Sequence, residues 1–236
     1  MNTNEYQEFV IDTFVNTLSM CKDKNYTCKM FSIIAKDMKC LINHYASMYK
    51  HKDTYENLWQ DSNFEFYESL LMSENAHRIL EGKEGSYKRY KDVHNGKETE
   101  LLYWEHITPN EIVWKRICFV YKELLSNNIE ENNLRDEVKK CFSNHRLVLL
   151  TKSESDKLDK KGGRTGQKIT AIREADANIN VAAYRIKLLF DENIVKHMYL
   201  DGDMLSKEKI VNNDGSFIDK GLEYFTKDFF VINSAK

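Results

Sequence analysis

The chain has a single proline in 236 residues, and this residue, Pro109, follows an apolar run. It also lacks any window of about 18 uninterrupted apolar residues, which argues against a membrane-spanning helix. The N-terminus, MNTNEYQEF, lacks the basic start and the apolar core of a signal peptide. We therefore expect a soluble, cytoplasmic protein with no membrane partner.

The chain has no excess of positive charge either, because it contains 35 lysines and arginines and 37 aspartates and glutamates. A balanced chain has no global positive field, so a nucleic acid would have to be met by a local basic patch. Cysteine is sparse, odd in number and never spaced C-x-x-C, which predicts reduced thiols and excludes a zinc knuckle or a disulfide framework. The cysteines are Cys21, Cys28, Cys40, Cys118 and Cys141.

Apolar residues recur at helical spacing from residue 4 to about residue 82, which predicts three or four helices and no strand there. Glycines then arrive in EGKEGSYKRYKDVHNGKETELLYWEH. Within this stretch His94-Asn95-Gly96-Lys97 is a strong hairpin signal, because a type I′ turn needs positive φ at both central residues. The pattern predicts strands at about 87–94 and 98–105.

Later segments predict an α+β protein that is mostly helical, with a helical N-terminal region (1–84), a central region (85–165) and a mixed C-terminal region (166–236). The run RLVLL reads as a buried strand, and Thr151 with Glu154 forms a capping box that starts a short helix. The predicted elements after the hairpin are helices at about 109–126 and 130–142, a strand at 146–150, and helices at 152–160 and 171–189.

The stretch LLYWEHITPNEI, residues 101–112, contains the proline. Thr108 suits the N-cap of a helix, Pro109 suits its first position, and Glu111 completes a T-x-x-E capping box. The proline is then accounted for as a helix start. The helix start does not account for Glu105 and His106, which lie just before it.

Two segments together resemble the HNH, or ββα-metal, nuclease superfamily. The first is WEHITP, residues 104–109, and the second is Asn144-His145 directly before the predicted strand, followed by the capped helix with Asp156 and Asp159. In that superfamily a strand ends in an acidic residue or histidine followed by histidine. A second strand preceded by asparagine or histidine follows, and then a short helix that carries the last metal ligand.

The resemblance implies a metal-dependent endonuclease that hydrolyses phosphodiester bonds, with DNA as the favoured substrate, of a bacterial restriction, phage or mobile-element type. It also implies Mg²⁺, a hard cation that takes oxygen ligands. A neutral histidine suits a general base that takes a proton from water. The implied metal ligands are Glu105 and, as the second ligand, Asp159 or Asp156. The implied catalytic residues are His106, as the general base, and Asn144 or His145, which would orient the loop.

Two basic segments are candidate nucleic-acid contacts. Residues 86–91 interleave Lys88 and Arg89 with tyrosines, which pairs phosphate contacts with stacking surfaces. Residues 157–168 combine positive charge with glycines that allow a close backbone approach to a phosphate. An amphipathic strand and a solvated loop are the alternative interpretations of these segments. The basic residues of the second segment include Lys160, Lys161, Arg164 and Lys168.

The sequence therefore leaves two hypotheses. The first is the metal-dependent endonuclease. The second is a non-catalytic binding protein that recognises a nucleic acid or a protein partner through residues 86–91 and 157–168. In the second, Glu105 and His106 merely lead into a capped helix. The oligomeric state stays open, and a homodimer is one option.

Overall fold

The structure, a computed structural model, describes residues 3–47, 71–81, 91–94, 97–100, 102–163, 181–200, 203–214 and 216–218. It has the predicted α+β class, with a helical N-terminal region followed by strands. The chain divides into two compact units, here called the helical unit (residues 1–49 and 108–145) and the sheet unit (residues 50–107 and 146–236).

The described helices, numbered in chain order, are α1 (Thr3–Asp23), α2 (Cys28–Ile34), α3 (Lys39–Ser47), α4 (Glu74–Glu81), α5 (Asn110–Leu125), α6 (Leu134–Cys141), α7 (Lys152–Leu158), α8 (Val181–Asp191) and α9 (Lys207–Ile210). Short 3₁₀ turns cover Lys36–Met38 and Glu131–Asn133, and a π-helical turn, Asp159–Gly163, extends α7. None of these described helices is long and apolar enough to cross a bilayer.

The described strands are β1 (Met72–Ser73), β2 (Lys91–His94), β3 (Lys97–Glu100), β4 (Leu102–His106), β5 (Leu147–Thr151), β6 (Met198–Leu200) and β7 (Asp203–Leu205). Five of them form a mixed sheet in the order β4-β5-β1-β6-β7, and β2 pairs with β3 in a separate two-stranded sheet. Within the mixed sheet β1 runs parallel to β5, and the other neighbours are antiparallel.

The helical unit has an aromatic core. Phe31 of α2 lies against two rings of α5, with centroid distances of 5.8 Å to Trp114 and 4.5 Å to Tyr121. These are favourable separations for aromatic pairs. All five cysteines lie in this unit without a disulfide, as predicted. Burial raises the pKa of Cys118 to about 11 and of Cys141 to about 12, so both stay protonated at neutral pH.

Asparagine ends several helices. Among the described residues, the non-glycine positions with positive φ are Asn25, Asn127, Asn144 and Asn193, at 53° to 58°. Each follows a helix end by two or three residues. The left-handed conformation that ends a helix disfavours most side chains, but asparagine tolerates it. The chain therefore uses asparagine where glycine is more common.

In the sheet unit, β4 and β5 are neighbours in space although residues 108–145 separate them in sequence. Their register runs from Leu102 opposite Thr151 to His106 opposite Leu147. A further hydrogen bond, from Ile107 N to Arg146 O at 3.0 Å, extends the ladder to the residues that directly precede and follow the inserted segment 108–145. The inserted segment thus starts and ends at the same end of one strand pair.

The capping box before α7 is confirmed. The Thr151 hydroxyl accepts a bond from the Glu154 backbone N–H at 3.2 Å, and Glu154 Oε2 accepts one from the Thr151 N–H at 2.8 Å. The hairpin prediction is confirmed in its register, since His94 lies opposite Lys97. The turn residues 95–96 and residues 87–90 lie outside the described residues.

Two strand predictions are wrong. The single strand predicted at 98–105 is divided between two sheets, because β3 pairs with β2 whereas β4 pairs with β5. The region predicted to contain only helices also includes β1. That strand has two residues and forms because β5 and β6 flank it, so its pairing partners lie far away in sequence.

The predicted capping box at the start of α5 is also wrong. Pro109 is the residue before the helix, and no side chain caps the first turn. The Thr108 hydroxyl instead donates to the carbonyl of Asn144 at 3.1 Å. Glu111, the other half of the predicted capping box, forms ion pairs with Lys39 at 3.3 Å and Lys115 at 3.8 Å.

Candidate functional site

The last two residues of β4 are the Glu105-His106 pair that the resemblance marks as a metal ligand and a base. In the β4–β5 ladder Glu105 lies opposite Val148, which belongs to the apolar core of the sheet unit. Glu105 Oε2 accepts a hydrogen bond from Ser155 Oγ of α7 at 2.7 Å. Its Oε1 lies 2.8 Å from Arg185 Nη2 of α8 and accepts a second bond there.

This carboxylate is part of a buried ion pair. Glu105 is 1% exposed and Arg185 is 0% exposed. Taking a charge out of water is costly unless the group is paired and hydrogen-bonded, and the Arg185 and Ser155 contacts meet that need for Glu105. The pair also disfavours a metal ion here, because both carboxylate oxygens already accept bonds and the guanidinium would repel a cation.

A second buried carboxylate, Glu154, stands one residue before Ser155. Besides the capping bond from Thr151, its Oε2 accepts from Ser73 Oγ at 2.6 Å and its Oε1 accepts from Asn75 Nδ2 at 2.9 Å. Ser73 Oγ in turn accepts the backbone N–H of Ala76 at 3.1 Å in the first turn of α4. Glu154 therefore ties α7 to the junction of β1 and α4.

The other predicted residues of the sheet unit lie in different surroundings. His106 is half-buried and lies opposite Leu147 in the ladder. Asp156 is exposed and forms an ion pair with Lys152 on the solvent side of α7. Asp159 is half-buried at the start of the π-helical turn. Thus the strand end and α7 do come together, through the hydrogen bond from Ser155 of α7 to Glu105 of β4.

Asn144 and His145 belong to the helical unit. Asn144 has φ of 58°, and this backbone conformation accounts for an asparagine at this helix end without a catalytic role. His145 is fully buried, and its Nδ1 and Nε2 lie 2.9 Å from Thr108 O and 2.8 Å from Ile42 O. A carbonyl oxygen only accepts and a neutral imidazole carries one N–H, so the ring donates to one of these two carbonyls and lies between two backbone segments without access to solvent.

The described side chains do not assemble a metal site. Among the parts of the chain that the structure describes, no group of three or more histidine, cysteine, aspartate or glutamate side chains lies close enough to hold a metal ion. The Mg²⁺ expectation depended on Glu105 as a ligand, and the buried pair with Arg185 does not fit that role. Mg²⁺ therefore stays a prediction that the described residues do not support.

The second basic segment is only partly described. Lys157 and Lys160 are exposed and form no ion pair with a described residue, and the exposed Lys161 pairs with Glu192 at 2.8 Å. These lysines project from the last turn of α7 and from the π-helical turn after it. The predicted contacts Lys88, Arg89, Arg164 and Lys168 lie outside the described residues.

Sequence reasoning missed Arg185 and Ser155. Arg185 did carry a signal, because it shares a helix face with Ala182 and Leu189, three and four residues away, and both are fully buried. A lone arginine on the apolar face of a helix needs a buried acidic partner, and Glu105 was available. Ser155 carried no comparable signal, because serines on short helices are common.

Comparisons with known proteins identify no relative of this chain. A scan against protein-family models finds no matching family, and searches of curated proteins and of solved structures find no significant match.

Proposed function

We propose that this chain is a non-catalytic nucleic-acid-binding protein, with DNA favoured, that contacts the phosphate backbone through the basic segment 157–168. One observation carries the proposal: Lys157 and Lys160 are exposed without a described ion partner, and Lys161 extends the same surface. The charge of the chain is otherwise balanced, so a local patch of this kind is the feature that a polyanion would contact.

Two further features support binding without catalysis. The Glu105 carboxylate is held inside the fold by Arg185 and Ser155, which accounts for its conformation without a metal. Lys160 and Lys161 also lie on a π-helical turn, Asp159–Gly163, and such turns occur frequently at functional sites. The glycines after Lys161 leave room for a phosphate to approach the backbone.

Replacing Lys157, Lys160 and Lys161 together with glutamine is expected to weaken binding to a labelled DNA duplex of about 20 base pairs by at least about tenfold. The reason is the loss of two or three phosphate contacts and of the counterions that each contact releases. In fluorescence anisotropy between about 50 and 200 mM salt, the slope of log K against log salt should become shallower by roughly 2–3.

A matched control removes equal charge elsewhere. Lys24, Lys196 and Lys209 are exposed and form no ion pair with a described residue, and their replacement with glutamine should leave the affinity within about twofold. If both triple variants lose affinity alike, binding reflects total charge and the assigned segment is wrong. Wild-type protein that binds neither duplex DNA, single-stranded DNA nor RNA at low salt would contradict the proposal itself.

An endonuclease of ββα-metal type is a second candidate, and one observation favours it. The antiparallel strands β4 and β5 are followed directly by α7, and α7 reaches back to β4 through the bond from Ser155 to Glu105. This is the order and pairing of elements that the superfamily uses. His106, at the end of β4, is half-buried and would be its general base.

Incubation of supercoiled plasmid with wild-type protein and Mg²⁺ or Mn²⁺ separates the two candidates. The first proposal expects no metal-dependent nicking above the level of a chelator control. If the wild-type protein nicks DNA and His106→Ala abolishes nicking with an unchanged melting temperature, the endonuclease is correct. Nicking that survives in His106→Ala would point to a contaminating nuclease and leave the first proposal standing.

A further inference from the structure

One lysine of the basic segment already has an acidic partner. Lys161 Nζ lies 2.8 Å from Glu192 Oε2, whereas Lys157 and Lys160 form no ion pair with a described residue. The pair is open to solvent, since the side chain of Lys161 is 56% exposed and that of Glu192 is 33% exposed. The contact therefore lies on the surface that the proposed function assigns to a polyanion, and a phosphate can approach the ammonium from solvent.

The core of the sheet unit fixes both partners. Leu158 of α7 and Leu189 of α8 are fully buried in the same apolar cluster. Lys161 and Glu192 each follow one of these leucines by three residues, so each projects about one turn beyond a buried anchor. The backbone N–H of Glu192 also donates to Leu188 O at 3.1 Å, which continues the last turn of α8. Packed elements thus hold the carboxylate close to the lysine.

The other acidic residue at this helix end has partners of its own. Asp191 forms ion pairs with Lys187 and with Lys207, the latter at 2.6 Å. The C-terminal end of a helix carries partial negative charge, so the end of α8 adds to the attraction for a cation. Glu192 is therefore the acidic side chain of this helix end that acts on Lys161 directly.

We propose that Glu192 competes with the nucleic-acid phosphates for Lys161: its carboxylate pairs with this lysine in the free protein and must leave before a phosphate can bind there. This role rests on the proposed function and adds to it a contact that weakens binding. Exposed ion pairs are weak and are screened by salt, so a phosphate can displace Glu192. Exchanging one anion for another at Lys161 releases no additional counterion, so this lysine contributes less to binding than an unpaired one.

Glu192→Gln should bind a labelled DNA duplex of about 20 base pairs about fivefold more tightly than wild-type protein at about 50 mM salt, because Lys161 has lost its competing partner. The slope of log K against log salt should become steeper by about 0.9, for one additional released counterion, so the gain should fall below about twofold at about 200 mM salt. Fluorescence anisotropy measures both quantities. Glu131→Gln is the matched control, because it removes the same charge and the 2.9 Å partner of Lys22 in the helical unit, and it should change the affinity by less than about twofold.

A double-variant cycle tests whether Glu192 acts through Lys161. In the Lys161→Gln background, Glu192→Gln should change the affinity by less than about twofold. Equal gains in both backgrounds, or an equal gain from Glu131→Gln, would mean that total charge sets the affinity and that Glu192 does not compete for Lys161. If wild-type protein binds DNA but Glu192→Gln binds no more tightly, the competition is wrong and the proposed function stands. Wild-type protein that binds no nucleic acid at low salt overturns both.

Discussion

Replacing Arg185 with methionine is expected to lower the free energy of unfolding by about 3–5 kcal/mol, the cost of leaving a buried charge without its partner. Methionine fills a similar volume, so the loss reports on charge and not on a cavity. The variant removes the positive partner of the Glu105 carboxylate, which is 1% exposed and still accepts a hydrogen bond from Ser155. Urea denaturation gives the free energy, and hydrogen exchange of peptides from β5 and α7 locates the loss in the sheet unit.

Two companion variants make the Arg185 result specific. Glu105→Leu combined with Arg185→Met removes both charges and should recover most of the loss, because an apolar pair of similar size often replaces a buried ion pair without penalty. Ser155→Ala should cost only about 1 kcal/mol, the ordinary contribution of one hydrogen bond. A double variant as unstable as Arg185→Met alone would mean that the site depends on shape and not on charge pairing.

Replacing His145 with leucine is expected to destabilise the helical unit by about 1–3 kcal/mol, because the ring N–H that donates to Thr108 O or to Ile42 O is lost and a buried carbonyl is left without that donor. A catalytic role would predict the opposite pattern, in which activity falls and stability hardly changes. Chemical denaturation, with hydrogen exchange of peptides from α3 and α5 as the local probe, measures the effect.

His44→Leu is the matched control for His145. His44 is half-buried in the same unit, on α3, and its hydrogen-bond contact with Tyr6 is long, at 3.5 Å. Because the His44 side chain is partly exposed, its replacement should cost less than about 1 kcal/mol. Equal losses in the two variants would show that the carbonyl contacts of His145 are not what stabilises the unit.

Local patterns predicted much of the fold. Thr151 and Glu154 cap α7 as expected, because a capping box needs only residues three apart in sequence. The hairpin of β2 and β3 was found for the same reason. The run at β5 was recognised because a strand covered on both faces is apolar throughout, and its first four residues, 147–150, are buried.

The sequence predictions are wrong where the structure of a residue depends on a partner that lies far away along the chain. Thr108 has the right neighbours for an N-cap, but its hydroxyl bonds to Asn144, 36 positions away. Strand β1 exists only through β5 and β6. The surroundings of Glu105 could not be predicted for the same reason, because its carboxylate bonds to Arg185, 80 positions later, and a motif centred on residues 104–109 carries no information about that helix.

The bond between Ile107 and Arg146 also has a consequence for the order of folding. Pairing β4 with β5 closes a loop of 38 residues, and for a disordered loop of that length the entropic cost is about 3 kcal/mol. Within the helical unit, Thr108 bonds to Asn144 and to His145, so that unit already holds the two ends of the loop together. If the helical unit forms first, β4 and β5 are already as close as if a tight turn joined them. Pairing the two strands then requires almost no further loss of loop entropy.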